Sequence, residues 1–106
     1  MDLVESVYRV SSEFPKTELY GLTSQIRRAA VSVPSNIAEG QTRPSTKEFL
    51  HHISIAQASL AEVETQIEIS VRLGYTSQER VAAVFESSAI LGKQLYALRN
   101  ALGRRR

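Results

Sequence analysis

The chain has 106 residues, 42% of them hydrophobic and 23% charged, with 13 Lys and Arg against 11 Asp and Glu for a formal net charge of +2. That length suits one domain around one shared core, and no apolar run approaches the ~20 residues that a membrane-spanning helix requires. The absence of cysteine excludes a disulfide framework, a thiolate nucleophile and Cys-ligated zinc, and the acids Asp2 and Glu5 stand where a signal peptide carries positive charge, so a cytoplasmic protein with no membrane role is expected.

The first segment, about residues 1–14, places Leu3, Val7, Val10 and Phe14 at the spacing of an apolar stripe on one helix face, and Pro15 ends it. A second helix is expected over about 17–40, with Leu22, Ile26, Ala29, Val33, Ile37 and Gly40 as its inward row and an ambiguous start near Gly21. A third, about 46–73, opens on a capping box in which Ser45 accepts from the Glu48 amide while Glu48 reaches back. Phe49, Ile53, Ala56, Leu60, Val63 and Ile67 then repeat at four-three spacing, and Gly74 stands where a left-handed C-terminal cap is expected. Thr76 and Glu79 offer a second capping box for the last helix, about 77–103, whose stripe is Val81, Val84, Ser88, Leu91, Leu95, Leu98 and Leu102.

Each of these helices would leave its seam wet if alone, so the economical fold is all-α, an antiparallel bundle with short loops and a single domain over residues 1–106. The first helix is short beside its neighbours, which leaves room for another chain to complete the bundle. Pro34 falls inside the second helix, where it removes a backbone bond and crowds the preceding turn, so a kink near Ala30 is expected, either as a packing bend or as a source of free carbonyls.

Residues 20–40, YGLTSQIRRAAVSVPSNIAEG, resemble the four-helix-bundle proteins encoded in intervening sequences of bacterial 23S rRNA genes, and residues 45–75, STKEFLHHISIAQASLAEVETQIEISVRLGY, resemble the same family. RRAAVSVPSNIAEG is the most specific stretch, and the last helix is similar in pattern only. The resemblance implies a left-handed, up-down-up-down bundle assembling into homopentamers and related to the accessory proteins of diversity-generating retroelements, which bind a reverse transcriptase and RNA. It implies no catalytic residues. Family members usually carry additional residues before the position of Met1, which lengthen the first helix, so either the start is truncated here or the first helix is short.

Several polar groups are candidates for function. Gln25, Arg28, Ser32, Asn36, Glu39 and Arg43 form one polar row along the second helix, which meets solvent, bundle neighbours, a subunit interface or a ligand. Ser32 and Asn36 are short enough to let a partner approach closely. Gln57 and Glu64 project inward from the third helix, and an unpaired buried carboxylate is costly. Glu64 is therefore expected to pair with an arginine or with backbone donors, and the Arg27–Arg28 region is within reach of Gln57. Glu48 and His51 have the Glu-x-x-His spacing of ferritin-like bundles, but the chain has only the two histidines His51 and His52, so no metal site and no cofactor are expected.

No phosphate-binding glycine loop or nucleophile elbow occurs, no small-molecule substrate is indicated, and Glu64 has no accompanying nucleophile or acid, so no catalytic residue is assigned. The positive charge is clustered: Arg27, Arg28, Arg43 and Lys47 face one acid, Glu39, over that stretch, and Arg104, Arg105 and Arg106 end the chain. These side chains suit sequence-tolerant phosphate contacts, although no aromatic platforms are interleaved with them. The expectation is a non-enzymatic homo-oligomeric adaptor touching RNA or a nucleic-acid-handling protein; the alternative is a purely structural or protein-binding oligomer.

Overall fold

A computed structural model describes residues 2–104. It contains α1 (Asp2–Ser11), a 3-10 turn (Lys16–Glu18), α2 (Leu22–Gln41), α3 (Thr46–Arg72) and α4 (Gln78–Gly103), with no strand among the described residues. The boundaries differ from the stripe pattern where burial outlasts the helix. α1 stops at Ser11, yet Phe14 remains only 7% exposed, because the Glu13 and Phe14 amides bond to Val10 and Ser11 in tightened turns that still aim the ring inward. α2 starts at Leu22 rather than near Thr17, after the 3-10 turn, and the Glu18 carboxylate accepts the Leu22 amide at 3.1 Å as a substitute cap.

At the start of α3, the Ser45 hydroxyl accepts the Glu48 amide and also donates to the Glu48 carboxylate, so the expected return contact to the backbone is made to a side chain instead. α3 closes in a Schellman motif: Gly74 has φ +78°, its amide bonds to Val71, and the Tyr75 amide bonds to Ser70. That reversal uses one more residue than expected, so Ser77 rather than Thr76 caps α4, accepting the Arg80 amide at 3.3 Å. The Thr76 hydroxyl is left buried without a partner.

The helices form a closed cycle of neighbours, α1 with α2, α2 with α3, α3 with α4, and α4 with α1. Paired residues fall along one helix as they rise along the next: Gln25 with Gln66, Ser32 with Ser59 and Asn36 with His52 across α2–α3, then Glu64 with Ser88 and Gln57 with Arg99 across α3–α4. The core between them includes Val7, Ile26, Val33, Ile53, Val63, Ile67, Val81, Val84 and Leu95. Each buried large aliphatic contributes roughly 1.5 to 3 kcal/mol relative to exposure. Ile37, Leu91 and Leu98, expected to point inward, are only half-buried. α1 is short beside its neighbours, its 10 residues spanning about 15 Å against about 40 Å for the 27 residues of α3. Leu3 and Val4 meet Pro34, Ile37 and Leu91 at a cleft of about 210 Å³. Pro34 lies within α2 without ending it, and Ala30, whose carbonyl loses its helical partner to the proline, is fully buried.

α2 and α3 approach closely at Gly40. A Cβ there would stand 2.8 Å from Phe49 Cδ1 and 2.9 Å from His52 Cβ, whereas one at Gly92 in α4 would meet only Leu60 Cδ2 at 3.7 Å. Gly40→Ala is therefore expected to destabilise by about 1–3 kcal/mol through overpacking, and Gly92→Ala to stabilise by up to about 1 kcal/mol through helix propensity. Urea unfolding of the two variants beside the parent checks the opposite signs.

Candidate interaction surfaces

The polar row of α2 turns largely toward α3 and is joined there by a hydrogen-bond chain with a fixed direction. Arg43 can only donate; it bonds to Glu39 Oε1 at 2.8 Å and to His52 Nε2 at 3.3 Å. His52 Nε2 is therefore an acceptor, so its proton sits on Nδ1, which donates to Asn36 Oδ1 at 3.0 Å. The Asn36 amide in turn donates to the Ser32 carbonyl and hydroxyl, and Ser59 donates to the same hydroxyl at 2.9 Å. Ser32, Asn36 and Glu39 are thus engaged inside the chain, and Gln25, although exposed, accepts from Gln66, whereas Arg28 stays exposed. One member of this seam escapes the sequence pattern: Gln66 is 7% exposed, donates to Gln25 Oε1 and Glu62 Oε2, and has no partner for its own Oε1. Its position on the α2-facing edge of α3, one residue from the apolar row, is the only signal of it in the sequence.

Gln57 and Glu64 are half-buried at the α3–α4 seam, and their partners come from α4 rather than from arginines of α2 or from backbone donors. Arg99 Nε donates to Gln57 Oε1 at 3.1 Å, its guanidinium also reaches Ser54, and the Ser88 hydroxyl donates to Glu64 Oε2. A charge-assisted hydroxyl contact at a half-exposed site supports the carboxylate without a cation. Arg27 is not near Gln57: its Nε donates to Ser11 at 2.8 Å, and its guanidinium stacks over the Tyr8 ring at 4.6 Å.

The basic residues therefore divide into two groups. Arg27 and Arg28 border a groove of about 710 Å³ lined by Tyr8, Leu19, Tyr20 and Val31. Arg43 and Lys47 lie at the opposite end of the bundle, where a hollow of about 650 Å³ is bordered by these two residues with Glu48, His51 and His52. Arg104 closes α4 at that same end, since Arg99, one turn earlier, bonds to Gln57 and Ser54 near the start of α3. Arg105 and Arg106 lie outside the described residues. His51 is exposed and His52 half-buried, and no group of three or more potential metal-ligating side chains occurs among the described residues. No described helix is long and apolar enough to cross a membrane.

The groove is positioned by a clasp. Glu18 caps α2 through one carboxylate oxygen and accepts the Tyr75 hydroxyl at 2.8 Å through the other, while the Tyr75 ring packs on Phe14 with centroids 5.8 Å apart. Gly21 leaves room for this, because a Cβ there would stand 2.8 Å from Glu18 Oε1. Leu19 and Tyr20 follow directly, so the clasp fixes the segment that carries them. Its residues lie far apart in sequence, and only the ambiguous helix start at Gly21 hints at it.

Four helices and two hydrogen-bonded seams define a bundle protein whose distinctive chemistry lies on its perimeter. The family model of the 23S rRNA-intervening sequence protein matches residues 1–97, and the chain belongs to that family. The match takes in the first helix and most of the fourth, beyond the stretches whose residues carry the resemblance by themselves. No curated protein matches the chain.

The clasp makes stability pH-dependent at both extremes. The Leu22 amide and then the Tyr75 hydroxyl hold the Glu18 carboxyl below its ordinary 4.5, so its contribution is present above that value and is lost as pH falls through the folded value. The hydrogen bond to Glu18, with desolvation and the carboxylate charge, raises the Tyr75 phenol above its ordinary 10.0, so its contribution is present below that value and is lost as pH rises through the folded value. Tyr75→Phe is expected to flatten the alkaline fall in thermal midpoint, and Glu18→Gln both the acid and the alkaline falls. Melting curves across pH 3 to 11 check this.

Proposed function

We propose that this chain is a non-catalytic, homo-oligomeric adaptor of the cytoplasm, a pentamer by family resemblance and a left-handed, antiparallel up-down-up-down bundle in each copy, that carries RNA or a nucleic-acid-handling protein on its basic end. The observation that supports the reading is the placement of Arg43, Lys47 and Arg104 at one end of the bundle, where α2 ends, α3 begins and α4 ends. Lys47 and Arg104 are exposed there, Lys47 on the rim of the hollow. Arg27 contributes less to phosphate contact than the sequence suggests, because Ser11 and Tyr8 occupy it. In an oligomer, several copies of a small basic end multiply a weak, sequence-tolerant affinity into a useful one. A purely protein-binding oligomer is the second reading, favoured by the apolar groove at Tyr8, Leu19, Tyr20 and Val31.

Lys47 and Arg104 form no side-chain ion pair within the described chain, so replacing both with alanine spares the internal seams. The double variant is expected to weaken single-stranded RNA binding by a similar factor for unrelated sequences. It should also flatten the dependence of log affinity on log salt by about 0.7 for each phosphate that is no longer neutralised. Fluorescence anisotropy over a salt series measures both. Parent protein with no salt-dependent RNA binding would favour the protein-binding reading.

A further inference from the structure

Where the α2–α3 seam reaches the basic hollow, the state of one ring nitrogen decides what holds Arg43. The Asn36 amide nitrogen is committed to the Ser32 carbonyl and hydroxyl, so its Oδ1 is the atom that faces His52. His52 Nδ1 must therefore carry hydrogen to meet that oxygen at 3.0 Å, whatever the charge on the ring. The His52 side chain is only 13% exposed and its Cβ lies beside Gly40, which leaves the ring little room to turn. A second proton can enter only at Nε2, the atom that accepts from Arg43 Nε at 3.3 Å. A guanidinium has no lone pair to accept in return, so that proton would set two N–H groups and two like charges against each other.

Among the described residues, the hydrogen bonds and ion contacts of the ring come from α2: Asn36, Arg43 and Glu39, whose Oε2 lies 4.0 Å from Nδ1. From its own helix, Lys47, Glu48 and His51 border the same hollow, and the Glu48 carboxylate accepts from Ser45. The Glu39 carboxylate pairs with Arg43 at 2.8 Å, and a cationic ring competes for that same carboxylate. Both contacts that hold Arg43 thus weaken in one step.

We infer that His52 is a proton-operated latch on Arg43: the neutral ring ties the guanidinium to the seam, and the cationic ring releases it into the hollow beside Lys47, where it meets phosphate. An imidazole suits this task because it is the side chain whose charge changes nearest neutral pH. The inference rests on the phosphate-carrying role proposed above for the basic end and adds its regulation.

His51→Gln tests this cleanly, because it leaves His52 the one imidazole of the chain, with its titration read directly by NMR. In that protein the neutral ring is expected to show hydrogen on Nδ1 and none on Nε2. The Arg43 Nε–H signal is expected to move to the position of solvated arginines with the same midpoint as the ring. Binding of oligouridylate is expected to strengthen across that midpoint as pH falls, its salt dependence steepening by about 0.7 for each Arg43 that gains a phosphate. Adding Arg43→Gln is expected to remove most of the gain. Adding His52→Gln instead, whose amide oxygen can still accept from Arg43, is expected to leave affinity flat over that range. A neutral ring protonated on Nε2, or an Arg43 signal that ignores the titration, would overturn the latch whether or not RNA binds. A full gain kept in Arg43→Gln would assign the effect to the charge of the ring and overturn it as well. Release of Arg43 on titration without any RNA binding would support the latch and overturn the nucleic-acid reading.

Discussion

The close approach of α2 and α3 is the constraint on which the rest of the structure depends. At Gly40 the two helices come so near that even a methyl group would collide with Phe49 and His52. Buried polar groups on the facing edges of helices that close call for partners, and apart from Gln66 Oε1 those of the seam find them. The chain from Arg43 through His52 and Asn36 to Ser32 and Ser59 meets that demand, and its direction is fixed because an arginine donates and never accepts. A seam of this kind specifies register: shifting one helix along the other would strand several donors at once.

This pairing has a consequence for the surface. Polar residues of α2 that would otherwise face solvent or a partner are engaged inside the chain, and the free chemistry moves to the perimeter. There it separates by position. One end collects Arg43, Lys47 and Arg104, and the α1–α2 side collects Tyr8, Leu19, Tyr20 and Val31. The Glu18–Tyr75 clasp ties the second group to the frame by linking the 3-10 turn, the start of α2 and the loop after α3. At the other margin of α1, the Glu13–Arg80 ion pair holds the turn after that helix against the start of α4.

Membership of the 23S rRNA-intervening sequence protein family agrees with a molecule built in this way. The two seams are lined by hydrogen bonds that close on themselves, which is the economy of a structural element. Apolar side chains such as Leu19, Tyr20, Ile90 and Tyr96, by contrast, stand exposed outside those seams.

The four helices, their caps at Ser45 and Gly74, and most of the core were legible in the sequence, because apolar periodicity and capping are local and depend on neighbours within a turn or two. The same periodicity set Gln57 and Glu64 beside the interior but could not choose their partners. Arg99 and Ser88 are more than twenty residues away and reach them only through the direction of α4. Likewise, Phe14 reads as helical because it is buried, although a tightened turn buries it equally well. Which polar row is consumed, which arginine is tied down and which apolar side chains are left outside were decided by tertiary structure alone. Each depends on which helix edges meet and how closely, and a periodic pattern on one helix carries no information about the edge opposite.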